Sequence, residues 1–354
     1  MPTKRRLTLA APPPDPFGER RRAALRARLQ LLGGRFDFET DSARLLRIVR
    51  QAYARLPAHR LSARAPRIRV RLVLTAARHP RSAAGRGGEP PAVRTLAAGG
   101  ILCGTMDGAG FVTLSVRERA ALIVVSRELL RCAYHVRYEL LEFAVYVLAA
   151  RVQRFVPLHA ACVGRAGQGI LLVGPSGAGK STLVVHCLLA GLDFLAEDSV
   201  LVRPQGLRAT GVSSFLHLRP DSLRFLEGAQ RASLVRRSSV IRRRSGVSKL
   251  EVDLRGPAYR LAAAPLRIRA VLFLSSRSAG GRPLLTPLRK SVALERLAGS
   301  QRYAAQQPGW RAFRKGLSAL PAYELRRGTH PRESVEALRE LLARMHARPG
   351  AAQR

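Results

Sequence analysis

Apolar positions in the first half of the chain come in short runs between arginines and glycines. Residues 21–32 are basic with interspersed leucines and predict a short helix stopped at Gly33-Gly34. Leu45, Leu46, Val49 and Tyr53 recur at helical spacing and predict a second helix over 41–55. Ile68, Val70 and Leu72 alternate with Arg67, Arg69 and Arg71, and Leu74 continues the register, as in a half-buried strand over 67–75. Residues 79–91, rich in Gly, Ser and Pro, predict a loop that cannot repay the entropy of ordering. Residues 96–114 read as short strands around turns at Gly99-Gly100 and Asp107-Gly108. Ser115 and Glu118 have capping-box spacing and predict a brief helix, followed by a short strand at 123–125 and a new element from Ser126. From Tyr134 the pattern is strongly helical. Val136, Leu140, Phe143, Ala144, Val147 and Leu148 make one broad apolar face, which predicts a connecting helix over 134–156 that packs on the second half of the chain.

The second half alternates strand and helix patterns. Residues 158–163 predict a short strand, Gly164-Arg165-Ala166-Gly167-Gln168-Gly169 a hairpin turn, and 170–173 a fully buried strand. Gly174-Pro175-Ser176-Gly177-Ala178-Gly179 then turns the chain into a helical run after Lys180 and Ser181, from Thr182 to a C-cap at Gly191. Residues 193–202 read as a strand interrupted by Glu197 and Asp198. Further strands are expected at 215–218, 250–254 and 266–274, and a basic loop at 231–244. Helices are expected at 286–297, around Trp310, Phe313 and Leu317, and after Thr329-His330-Pro331 through Met345.

The stretch 174–181 fits G-x-x-x-x-G-K-[ST], placed between a strand and a helix. Unpaired amides at such a turn and the helix dipole favour phosphate oxygens. The backbone of Gly174, Pro175, Ser176, Gly177, Ala178, Gly179, Lys180, Ser181 and Thr182 is therefore the expected cradle for a nucleotide, with ATP and Mg²⁺ as cofactors. Lys180 is expected to reach the terminal phosphates and Ser181 to hold Mg²⁺. The adjacent carboxylates Glu197 and Asp198 can divide metal binding and proton abstraction. His159, on the preceding hairpin, is near enough in sequence to reach the phosphates, and a core or edge histidine is the other reading. His217 and Arg277 are secondary candidates for phosphate contact.

Composition changes this picture little. The chain has 62 basic and 23 acidic residues, a net charge of +39. Nearly all the cations are arginine, and the excess is spread over both halves, which marks a chain-wide bias rather than one designed groove. A nucleic-acid-binding module using this excess ranks last, because no recognition helix, finger or aromatic-rich strand pair accompanies it. Cys103, Cys132, Cys162 and Cys187 match no zinc or disulfide spacing and read as reduced residues. Residues 1–17 lack a long apolar stretch, and the run 140–152 is too short to span a bilayer. No signal peptide or transmembrane segment is expected, and the location is expected to be cytoplasmic.

Residues 158–202 resemble the catalytic core of the HPr kinase/phosphorylase family, specifically its divergent HPr-kinase-related serine kinases. The matching pieces are Leu158-His159-Ala160, the hairpin to Gly169, the loop through Lys180-Ser181, and Leu195-Ala196-Glu197-Asp198-Ser199-Val200, with Glu197 standing where an aspartate is usual. The resemblance implies an α/β mixed-sheet, P-loop domain of the phosphoenolpyruvate-carboxykinase-like type. It implies ATP-dependent, Mg²⁺-dependent phosphorylation of a serine hydroxyl. On it, Asp198 falls on a metal-side carboxylate, Glu197 on the family's base, and His159 beside the phosphates.

The expected organisation is a basic, Pro-rich disordered tail over 1–20, a smaller N-terminal α+β domain over 21–133, the helix at 134–156, a kinase-like domain over 157–348, and a frayed end at 349–354. The acceptor, a small protein or a small hydroxyl compound, is not identified by the sequence, and a homo-oligomer is left open. A regulatory P-loop ATPase without phosphotransfer is the second reading.

Overall fold

The computed structural model describes residues 23–75, 90–106 and 109–347. The expectations for 1–20, 79–89, Asp107-Gly108 and 349–354 lie outside them. The described chain is a mixed α/β protein with three sheets.

The first sheet holds β1 (Leu25–Leu31), β2 (Gly34–Thr40), β3 (Arg67–Thr75), β4 (Arg94–Ala98), β5 (Ile101–Thr105), β6 (Gly110–Ser115) and β7 (Ala120–Ser126) in the order β1-β2-β3-β7-β6-β5-β4. Helix α1 (Ala43–Tyr53), capped by the Ser42 hydroxyl on the Leu45 amide, covers one face. A longer helical run covers the same core: α2 (Ala133–His135), a π-helical turn (Val136–Glu142) and α3 (Phe143–Val152). Val136, Leu140, Leu148, Phe36, Phe38 and Val49 belong to one buried cluster.

Three expectations change here. The helix expected over 21–32 is absent from its described part, residues 23–32, where the chain enters strand β1, with Leu25, Ala27, Leu29 and Leu31 alternating against polar side chains. The period is two, and the glycines form a hairpin turn in which Leu32 and Gly33 both take positive φ. Ser115 does accept from the Glu118 amide, at 3.2 Å, but it closes the β6–β7 turn and starts no helix. The run from Tyr134 also packs mainly on the first sheet rather than on the second half of the chain.

The central sheet begins with β8 (Val156–Leu158), β9 (Ala161–Arg165) and β10 (Gln168–Val173), followed by α4 (Lys180–Leu189), β11 (Asp193–Ala196), β12 (Val200–Arg203) and β13 (Arg208–Gly211). The third sheet is antiparallel and holds β14 (Phe215–Leu218), β15 (Ser238–Arg242) and β16 (Ser248–Asp253) in the order β14-β16-β15, with α5 (Gly228–Arg236) between β14 and β15 in sequence. The basic stretch 231–244, expected as a loop, is thus helix and strand, anchored by buried Leu234 and Ile241. The chain returns to the central sheet with β17 (Leu266–Ser278) and β18 (Leu285–Pro287), then α6 (Lys290–Ser300), α7 (Arg302–Ala305), α8 (Trp310–Leu317), β19 (Ala322–Arg327) and α9 (Pro331–Ala347). The helix expected over 286–297 therefore starts only after β18.

Strand β17 is the spine. It pairs in parallel with β10 on one side and with β19 on the other. Helices α4 and α9 pack on one face, together with the third sheet, and α6, α7 and α8 on the other. Strand β10 reads as continuous apolar sequence because both of its faces are covered. Fully burying each such side chain contributes roughly 1.5–3 kcal/mol.

Gly164, on β9, is held to glycine by close approach. A Cβ there would run into the Gln168 carbonyl and meet Leu266 Cδ1 at 2.8 Å. Gly164→Ala is expected to destabilise the protein by about 1–3 kcal/mol through overpacking, measured as a lower denaturation midpoint at unchanged m-value.

Candidate functional site

The carboxyl ends of the parallel strands β10, β17 and β19 open onto one cavity of about 540 Å³. Crevices beyond the carboxyl ends of parallel strands are the usual ligand positions in open α/β sheets. Its wall includes Gly177, Lys180 and Ser181 from the loop and α4, and His159, Glu197 and Asp198 opposite.

The loop 174–179 is shaped by its glycines. Gly177 and Gly179 take φ of +82° and +96°, in the left-handed region. Gly174 is needed for space, because a Cβ would stand 3.1 Å from the Ala178 Cβ and 3.2 Å from the Leu274 Cβ. Helix α4 starts on Gly179 with no side-chain cap and no acidic residue in its first turn. Lys180 folds back over the loop, donating to the carbonyls of Gly174 at 2.5 Å and Pro175 at 3.2 Å. Burial holds its pKa below the ordinary lysine value, against the pull of Asp198 and Glu197. Thr182 shares a hydrogen bond with Ser222 at 2.9 Å.

The two carboxylates sit differently. The expected strand over 193–202 breaks at Glu197, Asp198 and Ser199, because β11 pairs with β9 while β12 pairs with β8 and β13. Glu197 is 8% exposed and has both oxygens engaged. One accepts from the Ser181 hydroxyl at 2.5 Å, the other from the His217 amide at 2.7 Å. Asp198 is 44% exposed and pairs with His159 Nδ1 at 3.0 Å. Burial raises the Asp198 pKa, but the His159 hydrogen bond and the charges of Lys180 and Arg243 outweigh it and hold the carboxyl below its usual value. The expected single strand 158–163 likewise breaks at His159-Ala160, which frees that side chain to face the cavity.

Sequence reasoning missed several supporting residues. Buried Gln301 clamps His159, accepting its amide at 2.7 Å and donating to its carbonyl at 3.0 Å. Nothing in the local pattern marks that glutamine. His217, a secondary candidate for phosphate contact from the sequence, lies instead between two carboxylates that the sequence did not pair with it, with Nδ1 3.3 Å from Glu197 and Nε2 3.1 Å from Glu251. Arg243 and Lys249, from the β15–β16 hairpin, also line the cavity, whereas Arg277 does not.

The donor set suits a hard cation. The Ser181 hydroxyl and the oxygens of Glu197 and Asp198 are oxygen ligands of the kind Mg²⁺ takes. Among the described residues no group of three or more His, Cys, Asp or Glu comes together to hold a metal. A cation here would need ligand oxygens as well, which is ordinary for Mg²⁺ bound with a phosphate. Among the described residues no helix is long and apolar enough to cross a membrane.

Comparison with known proteins adds little to this geometry. No family model matches the chain, and no curated protein matches it. Among solved structures, the Hpr(Ser) kinase/phosphatase from Coxiella burnetii matches at 12% identity and a TM-score of 0.30, over 54% of this chain and 98% of that one. The likeness is distant and partial, so the functional case is made from the site itself.

His217 gives a pH prediction. Burial lowers its pKa, but its bonds to Glu197 and Glu251 outweigh that and raise it above 6.5. A raised folded-state value means the stabilisation is complete below the unfolded pKa and is lost as pH rises through the folded one. As pH rises above about 6.5, the melting temperature is expected to fall more steeply in the wild type than in His217→Gln, read by calorimetry at each pH.

Proposed function

We propose that this chain binds a nucleoside triphosphate with Mg²⁺ at the loop 174–179 and the first turn of α4, and transfers the γ-phosphoryl group to a hydroxyl of an acceptor. The observation that supports this best is the convergence in one cavity of an uncapped helix start, Lys180, the Ser181–Glu197 pair and the Asp198–His159 pair.

When bound, Mg-ATP supplies the phosphoryl group, and its metal neutralises charge on the phosphate oxygens. The loop amides and α4 dipole hold the phosphates. Lys180 exchanges two carbonyl partners for phosphate oxygens, which favours the bound state because its charge is poorly solvated where it lies. Ser181 and Glu197 present oxygens on the metal side, with Glu197 fixing the direction of the Ser181 hydroxyl. Asp198 is the carboxylate open to an incoming acceptor, and it is held ionised. We therefore assign the base to Asp198, oriented by His159, and metal-side work to Glu197 with Ser181. This exchanges the roles that the family resemblance implies for the two carboxylates. Geometry favours the exchange, since a carboxylate with both oxygens engaged and 8% exposure is poorly placed to meet a second substrate.

Calorimetry with Mg-ATP is expected to show saturable binding, weakened at least about tenfold in Lys180→Ala, equivalent to ~1.4 kcal/mol. Asp198→Asn is expected to keep that affinity within about threefold while lowering phosphoryl transfer to acceptor or water about 10²–10⁴-fold, the range for general-base loss. A folded wild-type protein that takes up no nucleotide overturns the reading. Hydrolysis without any labelled acceptor in cell extract would favour a regulatory ATPase instead.

A further inference from the structure

A line of charged and polar groups runs from the helix on the first sheet to the phosphate-side loop. Arg137 lies in the π-helical turn and is 2% exposed. Its guanidinium sits 4.3 Å from the centre of the Phe215 ring, pairs with Glu251, and has Nε 3.4 Å from Glu142. Glu251 faces His217, His217 faces Glu197, and Glu197 accepts from Ser181. Each link crosses between elements: from the π-helical turn to β16, from β16 to β14, and from β14 to the break after β11.

Such a chain is costly to build. Apolar residues of similar volume are often as stabilising as a buried ion pair, or more so. Among the described residues Arg137 Nη1 has no hydrogen-bond partner. The same helical turn also grips the hairpin that walls the cavity. Tyr138 stacks under the Arg243 guanidinium at 4.6 Å, and Glu139 takes two bonds from Arg244, at 2.6 and 2.5 Å. Three consecutive residues thus engage the β15–β16 hairpin, one of them through Glu251. Turns of π-helix are rare and concentrate at functional sites.

We propose that Arg137 is a positioning residue for this site, acting through Glu251 and His217 to hold the Glu197 carboxylate on the Ser181 hydroxyl. The segment that covers the first sheet thereby sets the geometry at the start of α4. The catalytic assignment rests on the phosphotransfer reading above; the positioning itself does not require it.

The informative variant is Arg137→Met/Glu251→Gln, which removes both charges together and leaves His217 a neutral acceptor. Arg137→Met alone would strand Glu251 as a buried charge and destabilise the fold. Should the double variant fail to accumulate, Glu251→Gln alone, in which Arg137 keeps Glu142 as a carboxylate partner, supports the same comparison. In the nucleotide-free protein, hydrogen exchange at the His217 amide, which donates to Glu197, is expected to quicken at least about tenfold, with α1 amides unchanged as the control for global stability. With Mg-ATP present, Kd is expected to stay within about threefold while turnover falls at least about tenfold, a kcat effect rather than a KM effect. Arg137→Lys, which keeps the charge, is expected to recover most of both. A folded variant whose His217 amide exchanges as slowly as the wild type overturns the proposal, whether or not nucleotide binds. A quickened amide in a protein that binds no nucleotide keeps the positioning chain and sinks the phosphotransfer reading alone.

Discussion

The break in the chain at Glu197, Asp198 and Ser199 is the constraint on which the site depends. Strands β11 and β12 follow one another in sequence but belong to different parts of the central sheet, one beside β9 and the other between β8 and β13. The backbone must leave the ladder to cross between them. Its three residues emerge where β10 delivers the loop 174–179, and the paired register of β9 with both β10 and β11 fixes that meeting. Had residues 193–202 stayed one strand, successive side chains would have pointed to opposite faces, and Glu197 and Asp198 could not both serve the cavity.

The arginine excess is handled mainly by solvent and by aromatic faces. On the outer surface of the first sheet Arg26, Arg28 and Arg67 are paired with Glu39 or Asp37 at 2.7 to 3.5 Å. Exposed pairs of this kind add little stability. Nearer the cavity, guanidinium groups lie over rings: Arg137 over Phe215, Arg224 over Phe225, Arg243 over Tyr138 and Arg255 over Phe215. Stacking needs no carboxylate partner, which suits a chain with so few acids. Three of the acids, Glu142, Glu197 and Glu251, belong to the polar chain that ends at Ser181.

The first sheet is bound to the rest by specific polar links as well as by packing. His59 bridges Thr210 and the Ala262 carbonyl, both at 2.8 Å, and Ser214 donates to the Ala52 carbonyl at 2.8 Å. Buried bonds of this type cost the full desolvation of a partner if broken. They fix one relative placement of the sheets, and that placement is what lets Arg137 reach Glu251.

Sequence by itself determined the elements whose signal is local. The alternation over 67–75, the apolar run of β10 and the turn glycines before Lys180 each follow from side-chain periodicity or from backbone freedom at a single position. It failed where two periods compete over few residues, as in 25–31, where arginine stems obscured the alternation. It failed also over 231–244, where only Leu234 and Ile241 carry the burial signal. For the candidate site, sequence marked Lys180, Ser181, Glu197, Asp198 and His159 as neighbours of one motif. Tertiary structure alone decided that Ser181 meets Glu197 while Asp198 meets His159. It also brought in Gln301, Glu251 and Arg137 from segments 114 to 142 residues away from their partners. The physical reason is range. Periodicity and capping act within a few residues, whereas a buried polar contact is set by which sheets stack, and no local pattern records that.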